Sequence, residues 1–310
     1  MCAPGLICLV GPTGSGKTAA ALNLARRLER AGQRAVVINA DSRQLYTDFP
    51  LITAQPSVAE RAVCPHLLYG YLPTTAKSSA GRWAEKARSA LAEADAQGRV
   101  PVLVGGTGLY LRALLDGMAD IPAPAPDVSA RLLDECRNAG AAVLHARLKA
   151  IDPDYASRIH PHDRQRVVRA LEVWESTGRN FSWWHSHTPP PPDRPALRLG
   201  VGLPLDDLTP LLRDRILTML EAGALDEARA ALIRCPDTAA PGWTGIGCAE
   251  LAAHLAGRLS LDECVDLWTR KTRAYAKRQW TWFRADARIV WHRPGDGDAL
   301  ADRALEFLGL

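Results

Sequence analysis

Residues 11–18 read Gly-Pro-Thr-Gly-Ser-Gly-Lys-Thr, the residue types and spacing that hold a phosphorylated compound. Gly11, Gly14 and Gly16 let the backbone wrap an anion. The N–H groups around Ser15, with the positive end of the helix that follows, cradle two phosphates. Lys17 is expected to reach a phosphate oxygen, and the Thr18 hydroxyl to sit beside a bound Mg2+. The Thr13 hydroxyl either reaches a bridging or leaving oxygen or is a neutral loop residue. Asp41 closes the next apolar run, and its carboxylate has two chemical jobs open to it: holding the metal through water, or taking a proton from an incoming nucleophile. Its structural alternative is a turn cap. Ser42 and Gln44 are placed to bind substrate from the same loop. Gly105-Gly106-Thr107-Gly108 allows close backbone approach, with Thr107 a further substrate contact and Arg112 one helical turn beyond Gly108. Arg213 and Arg215 point in different directions from one helix; one of them neutralises a pyrophosphate, or both are solvated.

These residues need a scaffold that collects them at one edge. Leu6–Val10 and Ala35–Ile38 are short apolar runs ahead of the phosphate loop and Asp41. Val100–Val104 precedes the Gly105–Gly108 turn, and Ala80–Gln97 between them reads as a helix. Strand–helix alternation with polar loops at strand ends predicts an α/β fold, a P-loop NTPase-like core with a parallel sheet. Ile121–Asp127 reads as a Pro/Ala linker, Ser129–Ala150 as helix broken near Gly140, and Asp163–Ser176 as a helix. Phe181–Pro195, with four consecutive prolines, reads as a loop or extended segment. Leu197–Leu203 returns as a strand. The expected organisation is a core built from 1–116 and 197–310, interrupted by a mostly helical insertion, 117–196. The remainder reads as helical: Leu208–Ala222, Asp226–Ile233, a glycine-rich turn at Gly242–Gly247, then Cys248 to about Ala256. A last long helix is capped by Ser260 with Glu263 as its capping-box partner and runs to about Arg284.

The chain has 310 residues, a formal net charge of +4 and 47% apolar residues, a composition that fits a soluble globular protein. The positive charge is clustered: Arg270, Lys271, Arg273, Lys277, Arg278 and Arg284 interleave with Tyr275, Trp280, Trp282 and Phe283. Basic groups neutralise phosphates, while such aromatics stack on bases or, more commonly, pack a core. Gln165 and Arg169 share a helix face that is open to a nucleic-acid backbone or base, beside Arg166. Seven cysteines stand singly with no Cys-x-x-Cys pair, which points to reduced thiols in a cytoplasmic protein. His160, His162, His185 and His187 lack companions that would complete a metal set. No signal segment or membrane-length apolar run is apparent, so no membrane partner is expected.

Taken together, five stretches resemble one family, the tRNA dimethylallyltransferases or tRNA isopentenyl transferases, of bacterial type. They are the loop at 11–18, Asp-Ser-Arg-Gln-Leu-Tyr at 41–46, Val-Gly-Gly-Thr-Gly-Leu-Tyr-Leu-Arg-Ala-Leu at 104–114, Gln-Arg-Val-Val-Arg-Ala-Leu-Glu-Val at 165–173, and Thr-Arg-Ala-Tyr-Ala-Lys-Arg-Gln-Trp-Thr-Trp-Phe-Arg at 272–284. The resemblance implies transfer of the dimethylallyl group of dimethylallyl diphosphate to N6 of adenosine 37, just 3′ of the anticodon, in tRNAs reading codons that begin with U. It implies Asp41 as general base, and Thr13 and Arg215 at the diphosphate and bridging oxygen. Lys17, Thr18 and Mg2+ would complete the diphosphate site. Ser42, Arg43 and Gln44 would meet the flipped base, with Thr107 on the RNA side. Arg112, Lys277, Arg278 and the insertion residues Gln165, Arg166 and Arg169 would contact the anticodon stem-loop. A monomer with no obligate protein partner is expected.

The sequence departs from the family where Gln55 replaces a usual lysine, and where Cys248-Ala249-Glu250 replaces Tyr-Lys-Glu. Weaker binding or altered salt dependence is expected from these changes before any loss of chemistry. Three other readings share some of the residues: an ATP-dependent small-molecule or nucleoside kinase, a non-catalytic tRNA-binding homologue, and an adenylate-type prenyltransferase.

Overall fold

A computed structural model describes residues 5–188 and 194–310. The chain divides into two compact units, Met1–Leu115 with Asp193–Leu310, and Asp116–Pro192. Within the first unit lies one six-stranded sheet of β1 (Leu6–Val10), β2 (Arg34–Asn39), β3 (His66–Leu67), β4 (Arg99–Gly105), β5 (Ala196–Val201) and β6 (Ile289–His292), in the order β3-β2-β4-β1-β5-β6. Every neighbouring pair is parallel. The central strand β1 is buried along its whole length, as a parallel strand covered on both faces must be. Its alternate residues feed two separate cores: Leu6, Cys8 and Val10 one, Ile7 and Leu9 the other. Burial pushes the Cys8 thiol up to about 12, so it packs as a small neutral apolar group.

Helix α1 (Lys17–Arg30) follows β1, α2 (Val58–Val63) precedes β3, and α3 (Ala80–Ala96) and α4 (Gly108–Leu115) flank β4. On the first core face Trp83 stacks on Tyr110 with ring centroids 4.6 Å apart. The Trp83 indole N–H donates to the Asn39 carbonyl at 2.9 Å. That bond ties α3 to the end of β2, one residue pair before Asp41.

The second unit is helical: α5 (Pro126–Ala139), α6 (Ala141–Ile151), α7 (Pro153–Ala156), α8 (Arg164–Thr177) and α9 (Phe181–Ser186). It has its own core, with Leu132, Leu144, Leu148, Val167 and Leu171 nearly or wholly buried. Two local expectations change here and one holds. Helix α5 starts at Pro126, inside the expected linker, because proline suits a first helical turn whose N–H has no partner. The expected break near Gly140 is present: Gly140, at φ 87°, separates α5 from α6. Residues 181–186 form a helix rather than a loop: the Asn180 side chain caps it by accepting from Trp183 N–H at 2.9 Å, and Phe181 stacks on Tyr155. The proline run Pro189–Pro192, and Cys2, lie outside the described residues.

After β5 come α10 (Leu205–Glu221), α11 (Ala224–Arg234), a 3-10 turn at Pro241–Thr244, α12 (Cys248–Leu255), α13 (Leu261–Arg284) and, beyond β6, α14 (Gly297–Leu308). Ser260 and Glu263 form the expected capping box at the start of α13. The segment after 203 is not all helical, because Ile289–His292 adds the edge strand β6. A four-residue β-branched and aromatic run just after a long helix is short enough to be absorbed into it by eye. No helix among the described residues is long and apolar enough to cross a membrane.

Candidate active site

The phosphate loop sits between β1 and α1, with Gly14 and Gly16 at φ 79° and 85°. A Cβ at Gly14 would lie 2.5 Å from the Leu212 side chain, so α10 packs directly on the loop. Leu212 is buried against it, and Arg215, three residues on, reaches the same side. Arg213 is rotated to the other side of α10, where its guanidinium meets Asp266 at 2.5 Å. The geometry therefore separates two arginines that the sequence left equivalent.

A cavity of about 270 Å³ opens beside the loop. Its polar lining includes Thr13, Asp41, Arg43, Arg215, Tyr275 and Arg278. Its apolar lining is Ile52, Leu212, Ile216, Met219, Ile246 and Trp268. On α13, Trp268, Thr272 and Tyr275 line the cavity at helical spacing. Thr13, Asp41 and Arg215, drawn from three distant parts of the chain, thus face one space.

Asp41 is held by Asn39, which is fully buried. The Asn39 Oδ1 accepts from the Asp41 N–H at 2.8 Å, and its Nδ2 donates to the carbonyls of Asp41 at 3.0 Å and Leu68 at 2.9 Å. Leu68 sits at φ 62°, a left-handed conformation that a leucine keeps only when its surroundings hold it. The Asp41 Oδ1 accepts from the Arg43 N–H at 2.9 Å, so the turn-cap role is real and coexists with a place on the cavity wall. Asn39→Leu leaves three partly buried backbone groups without the Asn39 partner, and is expected to cost about 1–3 kcal/mol of stability. Chemical denaturation would show this as a lower midpoint with an unchanged slope.

Thr107 ties the third loop to this one. Its hydroxyl accepts from the Ser42 N–H at 2.9 Å, and its own N–H donates to the Ala40 carbonyl at 3.1 Å. The Tyr275 hydroxyl also shares a hydrogen bond with Thr107. Burial and the nearby Asp41 carboxylate both push the Tyr275 phenol upward, so it remains protonated. The Gln44 amide donates to the carbonyls of Thr53 and Ala54 at 3.1 and 2.6 Å, and holds Ala54 at φ 53° on the cavity wall. Glu227 of α11 accepts from the N–H groups of Leu51 and Ile52 at 2.8 and 2.9 Å. Thr107 and Gln44 therefore build the site from within. The Arg43 guanidinium donates to the Thr244 hydroxyl at 2.9 Å.

Electrostatics suit an anion. Burial pulls the Lys17 ammonium down to about 8, with Asp41 opposing that shift and Arg215 adding to it. Lys17 Nζ donates to the Pro12 carbonyl at 2.5 Å. Burial also lowers Arg215, again opposed by Asp41, yet a guanidinium remains charged throughout the physiological range. The Ser15 hydroxyl is wholly buried and finds no partner in the protein, which fits a donor reserved for a ligand oxygen. Among the described residues no group of three or more His, Cys, Asp or Glu forms a metal cluster. Mg2+ needs none, since it keeps waters and binds phosphate oxygens with one or two protein oxygens. The hard oxygen of Thr18, at the start of α1, fits that demand.

The Lys17 shift has a measurable consequence. Between about pH 8 and the ordinary lysine value the unfolded chain holds a proton that the folded chain has lost. Lys17 thus makes the empty protein more stable as pH rises through that window, and its burial cost is fully present below about 8. A bound diphosphate restores the charge, so a diphosphate ester is expected to bind with proton uptake above about pH 8 and little uptake at pH 6.5. Calorimetry in two buffers of different ionisation enthalpy reads that uptake directly, and Lys17→Met should abolish it.

Other predicted residues fall elsewhere. Arg112 is exposed, 5.9 Å from the Trp282 ring centroid. Lys277 is exposed on α13, while Lys271 pairs with buried Glu250 at 2.6 Å. Gln165, Arg166 and Arg169 lie on α8 of the second unit. Gln165 and Arg166 are exposed, and Arg169 approaches Glu172 at 3.5 Å. The Gln55 amide donates to the Tyr46 carbonyl at 2.7 Å, so this departure from the family pattern serves as a loop tie. Sequence reasoning missed Asn39 and Gln279. The only advance sign of the second was a lone amide on an otherwise cavity-facing stripe of α13.

The IPP transferase family model matches residues 44–286, starting just after Asp41. The chain belongs to this family. It is 60% identical over 318 aligned residues to the tRNA dimethylallyltransferase of Nitratidesulfovibrio vulgaris strain Miyazaki F, covering 98% of this chain and 93% of that one. The crystal structure of the full-length tRNA isopentenylpyrophosphate transferase from Bacillus halodurans is similar at 30% identity and a TM-score of 0.70, covering 99% and 97% of the two chains. A eukaryotic dimethylallyltransferase captured acting on tRNA matches with a TM-score of 0.80 at 27% identity, covering 97% of this chain and 77% of that one.

Proposed function

We propose that this IPP transferase moves the dimethylallyl group of dimethylallyl diphosphate to N6 of adenosine 37 in tRNA and releases diphosphate. The observation that carries this reading is the meeting of Thr13, Asp41 and Arg215 in one cavity whose lining also includes Ile52, Leu212, Ile216, Met219, Ile246 and Trp268. A C5 hydrocarbon and a diphosphate need both kinds of lining in one space.

In the reaction the N6–C1 bond forms as the C1–O bond breaks, and the electron pair leaves with the diphosphate. The adenine N6 lone pair is delocalised into the ring, so the amine is a poor nucleophile. The Asp41 carboxylate takes the N6 proton as the new bond forms. Negative charge grows on the leaving oxygen, where Arg215 and the Thr13 hydroxyl stabilise it. Lys17, Ser15 and the loop N–H groups of Gly11, Gly14 and Gly16 hold the diphosphate. Thr18 would hold Mg2+, which would supply further neutralisation of that charge. Ser42 and Arg43 stand at the base side, with Arg278 at the mouth. Exposed Arg112 and Lys277, and Gln165, Arg166 and Arg169 of the helical unit, are the groups assigned to the anticodon stem-loop.

The test is transfer itself. Purified protein is mixed with labelled dimethylallyl diphosphate, Mg2+ and an unmodified tRNA with adenosine 3′ of its anticodon, and the RNA is digested. Label on N6 of that adenosine is expected. ATP turnover without RNA, and no labelled nucleoside, would replace this reading with a kinase.

A further inference from the structure

Gln279 lies on α13, is 4% exposed, and bonds two backbone groups and no charged group. Its Oε1 accepts from the Thr13 N–H at 2.8 Å, and its Nε2 donates to the Gly106 carbonyl at 2.9 Å. The partners fix the amide orientation, because a backbone N–H requires the oxygen and a carbonyl requires the NH2. The fit is close: a methyl at Gly106 would stand 2.0 Å from Gln279 Nε2. Thr13 belongs to the loop that follows β1, and Gly106 to the turn that follows β4. Gly106 is followed by Thr107, whose hydroxyl holds Ser42 beside Asp41. One buried side chain therefore joins the leaving-group side of the cavity to the base side.

We infer that Gln279 is a positioning residue for the transfer step, setting the Thr13 end of the phosphate loop at a fixed place relative to the loop that carries Asp41. The inference rests on the prenyl-transfer reading above. Its chemistry is geometric: the base and the leaving-group contacts act on opposite ends of one substitution, so their separation must match the stretched transition state. A misplacement near 1 Å costs on the order of 100-fold in rate without removing any reacting group. Binding of either substrate alone does not test that separation. The signature is thus a fall in kcat with the KM values nearly kept.

Gln279→Glu provides an internal control, since only its protonated form reproduces the amide pattern. Protonated, it donates to the Gly106 carbonyl and accepts from Thr13; ionised, it faces that carbonyl with a second oxygen. Single-turnover and steady-state rates of Gln279→Glu, Gln279→Met and the wild type are measured from pH 5.5 to 8.5 under the same conditions, with thermal unfolding at each pH. Expected results are a roughly 10–100-fold loss of kcat for Gln279→Glu at high pH, with KM for both substrates within about three-fold. The ratio to wild type should recover as pH falls, while Gln279→Met stays low at every pH and remains folded. A ratio that does not change with pH overturns the inference, as does wild-type kcat in both variants. So does a loss that follows unfolding or a rise in the tRNA KM alone. If the wild type makes no prenylated product, the reading of the reaction fails and this inference falls with it. An active wild type beside a pH-independent Gln279→Glu sinks the positioning role alone.

Discussion

Asp41→Asn is expected to lower single-turnover prenyl transfer by roughly 10²–10⁴-fold while tRNA and dimethylallyl diphosphate still bind. The substitution is chosen to spare the structure. An asparagine Oδ1 still accepts from the Arg43 N–H, as the Asp41 Oδ1 does at 2.9 Å, and the Asn39 contacts to the residue's backbone are untouched. What disappears is the only acidic side chain lining the cavity among the described residues, and with it the acceptor for the N6 proton. Lys17 and Arg215 also lose the negative charge that opposes their downward shifts, which lowers the pH above which donor binding weakens. Quench-flow transfer assays beside filter binding separate the two effects. A rate within ten-fold of wild type would move the base elsewhere.

Arg215→Gln and Arg213→Gln are expected to part company. Loss of Arg215 removes a cation from the side of the cavity where leaving-group charge develops, and the rate should fall about 10²–10³-fold. Arg213 is occupied with Asp266 on the far side of α10, and half-exposed pairs of this kind contribute about 0–1 kcal/mol. Its loss should leave transfer within about two-fold of wild type. The comparison is made on kcat and on the KM for dimethylallyl diphosphate. Equal losses in both variants would mean that the helix, rather than one guanidinium, carries the effect.

Much of this site was legible because its parts are contiguous. The phosphate loop is eight residues in a row between an apolar run and a helix, and Asp41 and Gly105–Gly108 announce themselves as strand ends. The capping box at Ser260 is also local. What escaped was held by distant backbone. Asn39 reads as one more polar residue at a strand end until its side chain is seen bonded across to Leu68. Gln279 bonds a loop 266 residues away, and a sequence carries no mark of which carbonyl an amide will meet. Gln44 and Thr107 were read as facing substrate because they are polar and near the right motifs. That they also tie the site together, by hydrogen bonds to Ala54 and Ser42, carried no mark in the sequence. The edge strand β6 was hidden by its brevity, and α9 by the prolines that follow it.

The cavity takes Trp268, Thr272, Tyr275 and Arg278 of its lining from α13, so the order of synthesis matters. A nascent chain emerging N-terminus first exposes the phosphate loop and Asp41 long before Trp268, Tyr275 and Gln279 exist. At roughly 5–20 residues per second, the interval from residue 41 to residue 279 is about 10–50 s. During that time the ribosome carries an anion-binding loop whose cavity lacks Trp268 and Tyr275, with no Gln279 clasp on Thr13. Helix α13 also precedes β6, the last strand to join the sheet. Competence for transfer therefore arrives late in translation, and a product truncated before α13 retains the loop while lacking the cavity lining from Trp268, Thr272, Tyr275 and Arg278.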